Sequence, residues 1–147
     1  MYLKEKMPEE EHADHYETCR ILVVEDDPEI SDLLTIFIKK YGYHPCGVAE
    51  TGEDAIRLIE KTSPDIVCID IVLKGPMNGI DLARHINKEF RIPFIYITGY
   101  SDEQIINRVI HTYPSAFILK PFKGEEIRVA VEIIMKRISQ KKHKHKV

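Results

Sequence analysis

The 147-residue sequence predicts an α/β domain: a parallel five-stranded sheet, doubly wound by helices into a three-layer (βα)5 sandwich. Three observations carry that class. Five short apolar segments alternate with five stretches whose apolar residues recur at i, i+3 and i+4. One of them, Ile66-Val67-Cys68-Ile69, is apolar throughout, as a strand buried on both faces must be. Finally, the apolar segments run straight into residues with chemical uses: Glu25 and Asp26, then Asp70, Thr98 and Lys120. In open parallel sheets, ligands gather in the crevice beyond the carboxyl ends of the strands.

The elements follow in order. Residues 20–24 read as the first strand. Asp27-Pro28 then starts a helix, with a capping carboxylate and proline at its first position. Ile30, Leu33, Leu34, Phe37, Ile38 and Tyr41 form its stripe, and Gly42 closes it. Residues 43–49 make a weaker strand whose Pro45 suits an edge. Thr51 opens the second helix and Pro64 stops it before the strand that ends at Asp70. A loop over residues 71–78 leads to a third helix, about 79–90. Residues 93–97 form the fourth strand, and Ser101 to Gln104 reads as a capping box for the fourth helix. The fifth strand covers 115–119, and the last helix runs from about 124 to 138, with Val129 and Ile133 off its core stripe.

Composition narrows the function. Residues 1–18 carry two lysines against six acids and no apolar period, the pattern of a flexible acidic arm. Residues 19–138 form the folded domain, with thirteen bases and eighteen acids before Lys136. Residues 139–147 read as a basic disordered tail. No broad basic face suggests direct nucleic-acid binding. No apolar run spans a bilayer, and three cysteines without metal spacing suit reduced thiols in the cytoplasm.

If the first strand is central, Glu25, Asp26, Asp70, Thr98 and Lys120 share one crevice. Clustered carboxylates repel one another unless a cation neutralises them, and a hard divalent ion, Mg²⁺ or Mn²⁺, suits oxygen donors. Such an ion leaves positions for phosphoryl oxygens, Lys120 offers a mobile charge and Thr98 a hydroxyl. Asp70 is then placed as a nucleophile for a phosphoryl group. Each residue alone has a plainer reading: Asp27 is a cap, Thr98 could be a turn residue, and Lys120 could be a structural partner of Asp70.

Over residues 20–138 the chain resembles the receiver domain of two-component response regulators. The resemblance rests on Ile21-Leu22-Val23-Val24-Glu25-Asp26, Asp65-Ile66-Val67-Cys68-Ile69-Asp70, Ile97-Thr98-Gly99 and Leu119-Lys120-Pro121-Phe122. It implies a flavodoxin-like sandwich with strand order 2-1-3-4-5. Asp70 would accept phosphate from a sensor histidine kinase or phosphotransfer protein. Asp26, Asp70 and the Val72 backbone carbonyl would ligate Mg²⁺ (or Mn²⁺), with Glu25 acting through water. Lys120 would contact the phosphoryl group and precede a cis bond to Pro121. Thr98 would be the switch hydroxyl and Phe117 the switch aromatic. The implied protein is a cytoplasmic signalling switch, not an enzyme beyond its own phosphorylation and dephosphorylation. Its output surface would be the fourth helix, fifth strand and fifth helix, meeting a protein partner or a second copy. The alternative is a degenerate receiver that only docks.

Some residues depart from the common pattern. The loop 73–79 is one residue longer than usual, and Phe117 lacks the more usual tyrosine hydroxyl. Val72 and Tyr100 stand where the family flanks the attacking water, so slow self-dephosphorylation is expected. No output domain is legible after the last helix, which reads as a stand-alone receiver or a piece of a longer regulator.

Overall fold

The computed structural model describes residues 19–145. The arm 1–18 and residues 146–147 lie outside the described residues. Five strands, β1 (Arg20–Val24), β2 (His44–Ala49), β3 (Ile66–Ile69), β4 (Phe94–Thr98) and β5 (Ala116–Leu119), form one sheet. Every pairing is parallel and the order is β2-β1-β3-β4-β5, as expected. The helices are α1 (Pro28–Lys40), α2 (Gly52–Thr62), α3 (Gly79–Glu89), α4 (Glu103–Ile110) and α5 (Gly124–His145).

Alternation along the strands splits the core in two. Leu22, Val24, Val67, Ile69, Phe94 and Tyr96 pack under α2, α3 and α4. Ile21, Val23, Ile66, Cys68, Ile95 and Ile97 pack under α1 and α5. With both faces covered, β1 after Arg20 and the whole of β3 are apolar, and β4 adds only the hydroxyls of Tyr96 and its last residue, Thr98. Pro45 sits on the edge strand β2, where the pairing with β1 shifts register at Cys46.

Helix starts follow local chemistry. The Asp27 side chain accepts from the Glu29 N–H, and Thr51 accepts from Asp54. Asn78 and Asp81 form a reciprocal capping box on α3. α4 begins one residue later than expected: Asp102, not Ser101, caps it by accepting from the Ile105 N–H at 2.9 Å. A carboxylate at that position also complements the helix dipole.

The larger correction is at the end of the chain. Residues 139–145, expected to be disordered, continue α5. Ser139, Gln140, Lys141 and Lys142 include no glycine or proline, and lysines suit a helix C-terminus. The packed turns around Ile134 and Ile138 supply the nucleus they extend.

Candidate functional site

The ends of β1 and β3 lie side by side, so their following residues meet. Sheet bonds hold both backbones: the Glu25 N–H donates to Ala49 O at 2.9 Å and the Asp70 N–H to Val24 O at 3.0 Å. Glu25 and Asp70 are buried, and Asp26 is half-buried beside them. One carboxylate oxygen from each of the three lies within 4.8 Å of the others.

Lys120 closes the cluster from β5. Its Nζ donates to Glu25 Oε1 at 2.6 Å and to Asp70 Oδ2 at 3.0 Å. It therefore bridges two acids rather than pairing with one. The Lys120 N–H also donates to Thr98 O at 2.9 Å, which ties the backbone of β5 to that of β4. The Lys120–Pro121 peptide is cis. Thr98 is fully buried, and among the described residues its hydroxyl oxygen accepts only a long contact from the Tyr100 N–H at 3.4 Å. Asp70 Oδ1 likewise accepts at 3.4 Å from the Val72 N–H.

Burial raises the Glu25 carboxyl above the usual carboxylate range. The bonds from Lys120 and the Asp27 N–H pull the other way, and the charge of Asp70 adds to the rise. Burial works to lower the Lys120 ammonium too, but its bonds to Glu25 and Asp70 overcome it and leave the pKa raised. Lys120 thus stays charged. The Asp26 side chain makes no hydrogen bond or ion pair among the described residues. An oxygen-only donor set with one carboxylate unengaged fits a hard divalent cation.

Close approach fixes the loop beyond Asp70. A Cβ on Gly79 would stand 2.1 Å from Asp70 O, so only glycine lets the first turn of α3 reach this backbone. The Gly79 N–H donates to Ile71 O at 2.7 Å. Thr51 and Lys74 make a parallel bridge that ties the loop to the start of α2. Val72 and Tyr100 are about half exposed at the mouth. Phe117 packs inward, its ring 6.1 Å from that of Tyr96.

Residues 21–132 match the sequence profile of the response regulator receiver domain. The chain belongs to that family. Over 118 residues the receiver is 30% identical to the DNA-binding response regulator MtrA of Mycolicibacterium smegmatis, a match covering 80% of this chain and 51% of MtrA. The chain thus spans about half the length of the curated relatives it matches. Among solved structures, it resembles the signal receiver domain of a modulated diguanylate cyclase from Desulfovibrio desulfuricans G20. There the TM-score is 0.79 at 27% identity, over 84% of this chain and 98% of that one. It also resembles the BeF3-activated N-terminal receiver domain of Klebsiella pneumoniae RstA, with TM-score 0.73 and 25% identity over 79% of this chain and 97% of that one.

The motif residues of the receiver converge as a set, but one buried network was not legible beforehand. The Thr112 hydroxyl donates to Val109 O at 2.6 Å, so the Tyr96 hydroxyl donates to Thr112 Oγ1 at 2.7 Å. Asn87 Nδ2 donates to Thr112 O at 2.6 Å, which joins α3 to β4 and the end of α4. Burial lifts the Tyr96 phenol to about 12. Polar residues within apolar stretches were the only signal, and they do not name their partners. Among the described residues no helix is long and apolar enough to cross a membrane.

Proposed function

We propose that this receiver is a phosphorylation-activated switch whose phosphoacceptor is Asp70. The observation that supports it most is the shared hold of Lys120 on Glu25 and Asp70, with Thr98 tied to the same lysine backbone. An Asp70 oxygen would form the P–O bond as the P–N bond of a donor phosphohistidine breaks. The electron pair returns to the imidazole of the kinase or phosphotransfer protein. Glu25, Asp26, Asp70 and the Val72 carbonyl would hold Mg²⁺ (or Mn²⁺). When bound, the ion offsets the charge on the transferring oxygens. Lys120 would turn from Asp70 Oδ2 to a phosphoryl oxygen, and Thr98 would donate its hydroxyl to another. No external substrate is turned over.

The output follows from the same bonds. Phosphorylation adds up to about two negative charges and three acceptor oxygens. Drawing in Thr98 would move residues 99–102 and free space beside Phe117, biasing α4 against β5 and α5. Ile110, Leu119, Val129 and Ile133 are exposed on those elements and would meet a downstream protein or a second copy. Val72 and Tyr100, at the mouth, would shield the acyl phosphate from water and slow its loss. The setting is the cytoplasm, where the kinase's catalytic parts lie.

The test is incubation with acetyl phosphate and Mg²⁺, followed by intact-mass measurement. The expected result is a gain of one phosphoryl group that Asp70→Asn abolishes. An unchanged mass in every condition would leave only the docking role.

A further inference from the structure

The opposite end of the sheet carries a second site. A cavity of about 550 Å³ opens at the start of β4 and β5, between the ends of α3 and α4 and the C-terminal half of α5. Pro93, Phe94 and Ser115 line it, so it lies at the strand N-termini, a strand's length from Asp70. Its volume is that of a small-molecule site.

The lining is strongly one-sided in charge. Arg91, Arg137, Lys141 and Lys142 contribute to it, and among the described residues no carboxylate does. None of the four cations is ion-paired among the described residues. Phe94 and Ile134 form an apolar floor, and Tyr113, 81% exposed, stands at the rim.

Backbone geometry marks the same place. The connections after α1, α2, α3 and α4 each contain a residue of left-handed φ: Gly42 (87°), Ser63 (48°), Arg91 (58°) and Tyr113 (54°). Glycine fills such a position without strain, and large side chains do so at a cost. At the two connections that border the cavity the chain carries an arginine and a tyrosine instead. Both close their helices, the Arg91 N–H donating to Ile86 O at 2.7 Å and the Tyr113 N–H to Ile110 O at 3.2 Å, and both residues line the cavity.

We infer that this cavity binds a mononucleotide. Guanidinium and ammonium groups match phosphate oxygens, and an exposed tyrosine face accepts a stacked base. Four cations with no counter-acid among the described residues favour a multiply charged phosphate over a single carboxylate. The apolar floor favours a ligand with an aromatic body over bare phosphate.

The test is an amide NMR titration of the full 147-residue chain in EDTA, using ADP, adenosine and inorganic pyrophosphate as probes. ADP should give saturable shifts at Tyr113, Ser115 and Ile138, with adenosine and pyrophosphate each at least about tenfold weaker. Arg137→Glu with Lys141→Glu should weaken ADP by at least about tenfold while leaving the melting midpoint in place. Asp70→Asn should bind as the native chain does, so this site stands or falls apart from phosphorylation. The inference is overturned by absent saturation, by shifts centred on Lys120, or by pyrophosphate binding as tightly as ADP. It is equally overturned by undiminished binding in the charge-reversed variant, or by binding of a single-stranded oligonucleotide alone.

Discussion

The two ends of the sheet are built from opposite charges in opposite ways. At the carboxyl end three acids cluster, one lysine bridges two of them, and Glu25 and Asp70 are buried. At the amino end four cations stand exposed or near solvent around a cavity, and none meets an acid among the described residues. Charge that is buried must be matched inside the protein, whereas charge at a rim is free to meet a ligand. Residues at the first end should therefore govern stability and chemistry together, while residues at the second can change with little effect on either.

Lys120→Met should break that contrast most severely. It leaves Glu25 and Asp70 buried without their ammonium, at a cost of about 3 kcal/mol near neutral pH, seen in denaturant unfolding. Glu25 titrates above its ordinary range, so the penalty should shrink as pH falls and Glu25 takes a proton. A penalty that grows on acidification would show that the lysine does not hold the acids in place. Gly79→Ala should come next, costing about 2 kcal/mol, because its methyl meets the Asp70 carbonyl. It should also slow phosphorylation of Asp70; a native rate would mean that the loop position is unimportant.

Tyr96→Phe removes one buried hydrogen bond and should cost about 1 kcal/mol in thermal or denaturant unfolding. Its phosphorylation should stay native, since the Tyr96–Thr112–Asn87 network lies outside the acidic cluster. Replacing Val72 or Tyr100 with a small polar residue should leave stability within about 0.5 kcal/mol yet shorten the life of the acyl phosphate. An unchanged decay in radiolabel chase would remove their shielding role. The smallest effect is expected from Arg137→Glu with Lys141→Glu: the phosphoryl mass gain should not change at all.

The acidic end was largely legible in the sequence and the basic end was not. Thr98 ends an apolar strand and Glu25, Asp26, Asp70 and Lys120 follow one, and a parallel sheet gathers strand ends by its topology alone. What the linear pattern could not show was a lysine shared between two acids, because that depends on side-chain reach across three strands. Arg91, Tyr113, Arg137 and Lys141 sit at a loop, a turn and a helix with no common period, so only packing assembles them. The one-residue difference at the start of α4 has a local cause: Ser101 and Asp102 are both competent caps, one residue apart. The continuation of α5 was hidden because a run of lysines looks alike as solvated helix or as coil.

Which carboxylate takes the phosphoryl group is the decisive question, since Glu25, Asp26 and Asp70 share one crevice. Borohydride reduces an aspartyl acyl phosphate to homoserine, so peptide mapping after phosphorylation and reduction names the residue. Homoserine at position 70, and at no other aspartate, is the predicted result. Reduction at Asp26, or an unmodified Asp70 in a chain that has gained phosphoryl mass, would contradict it.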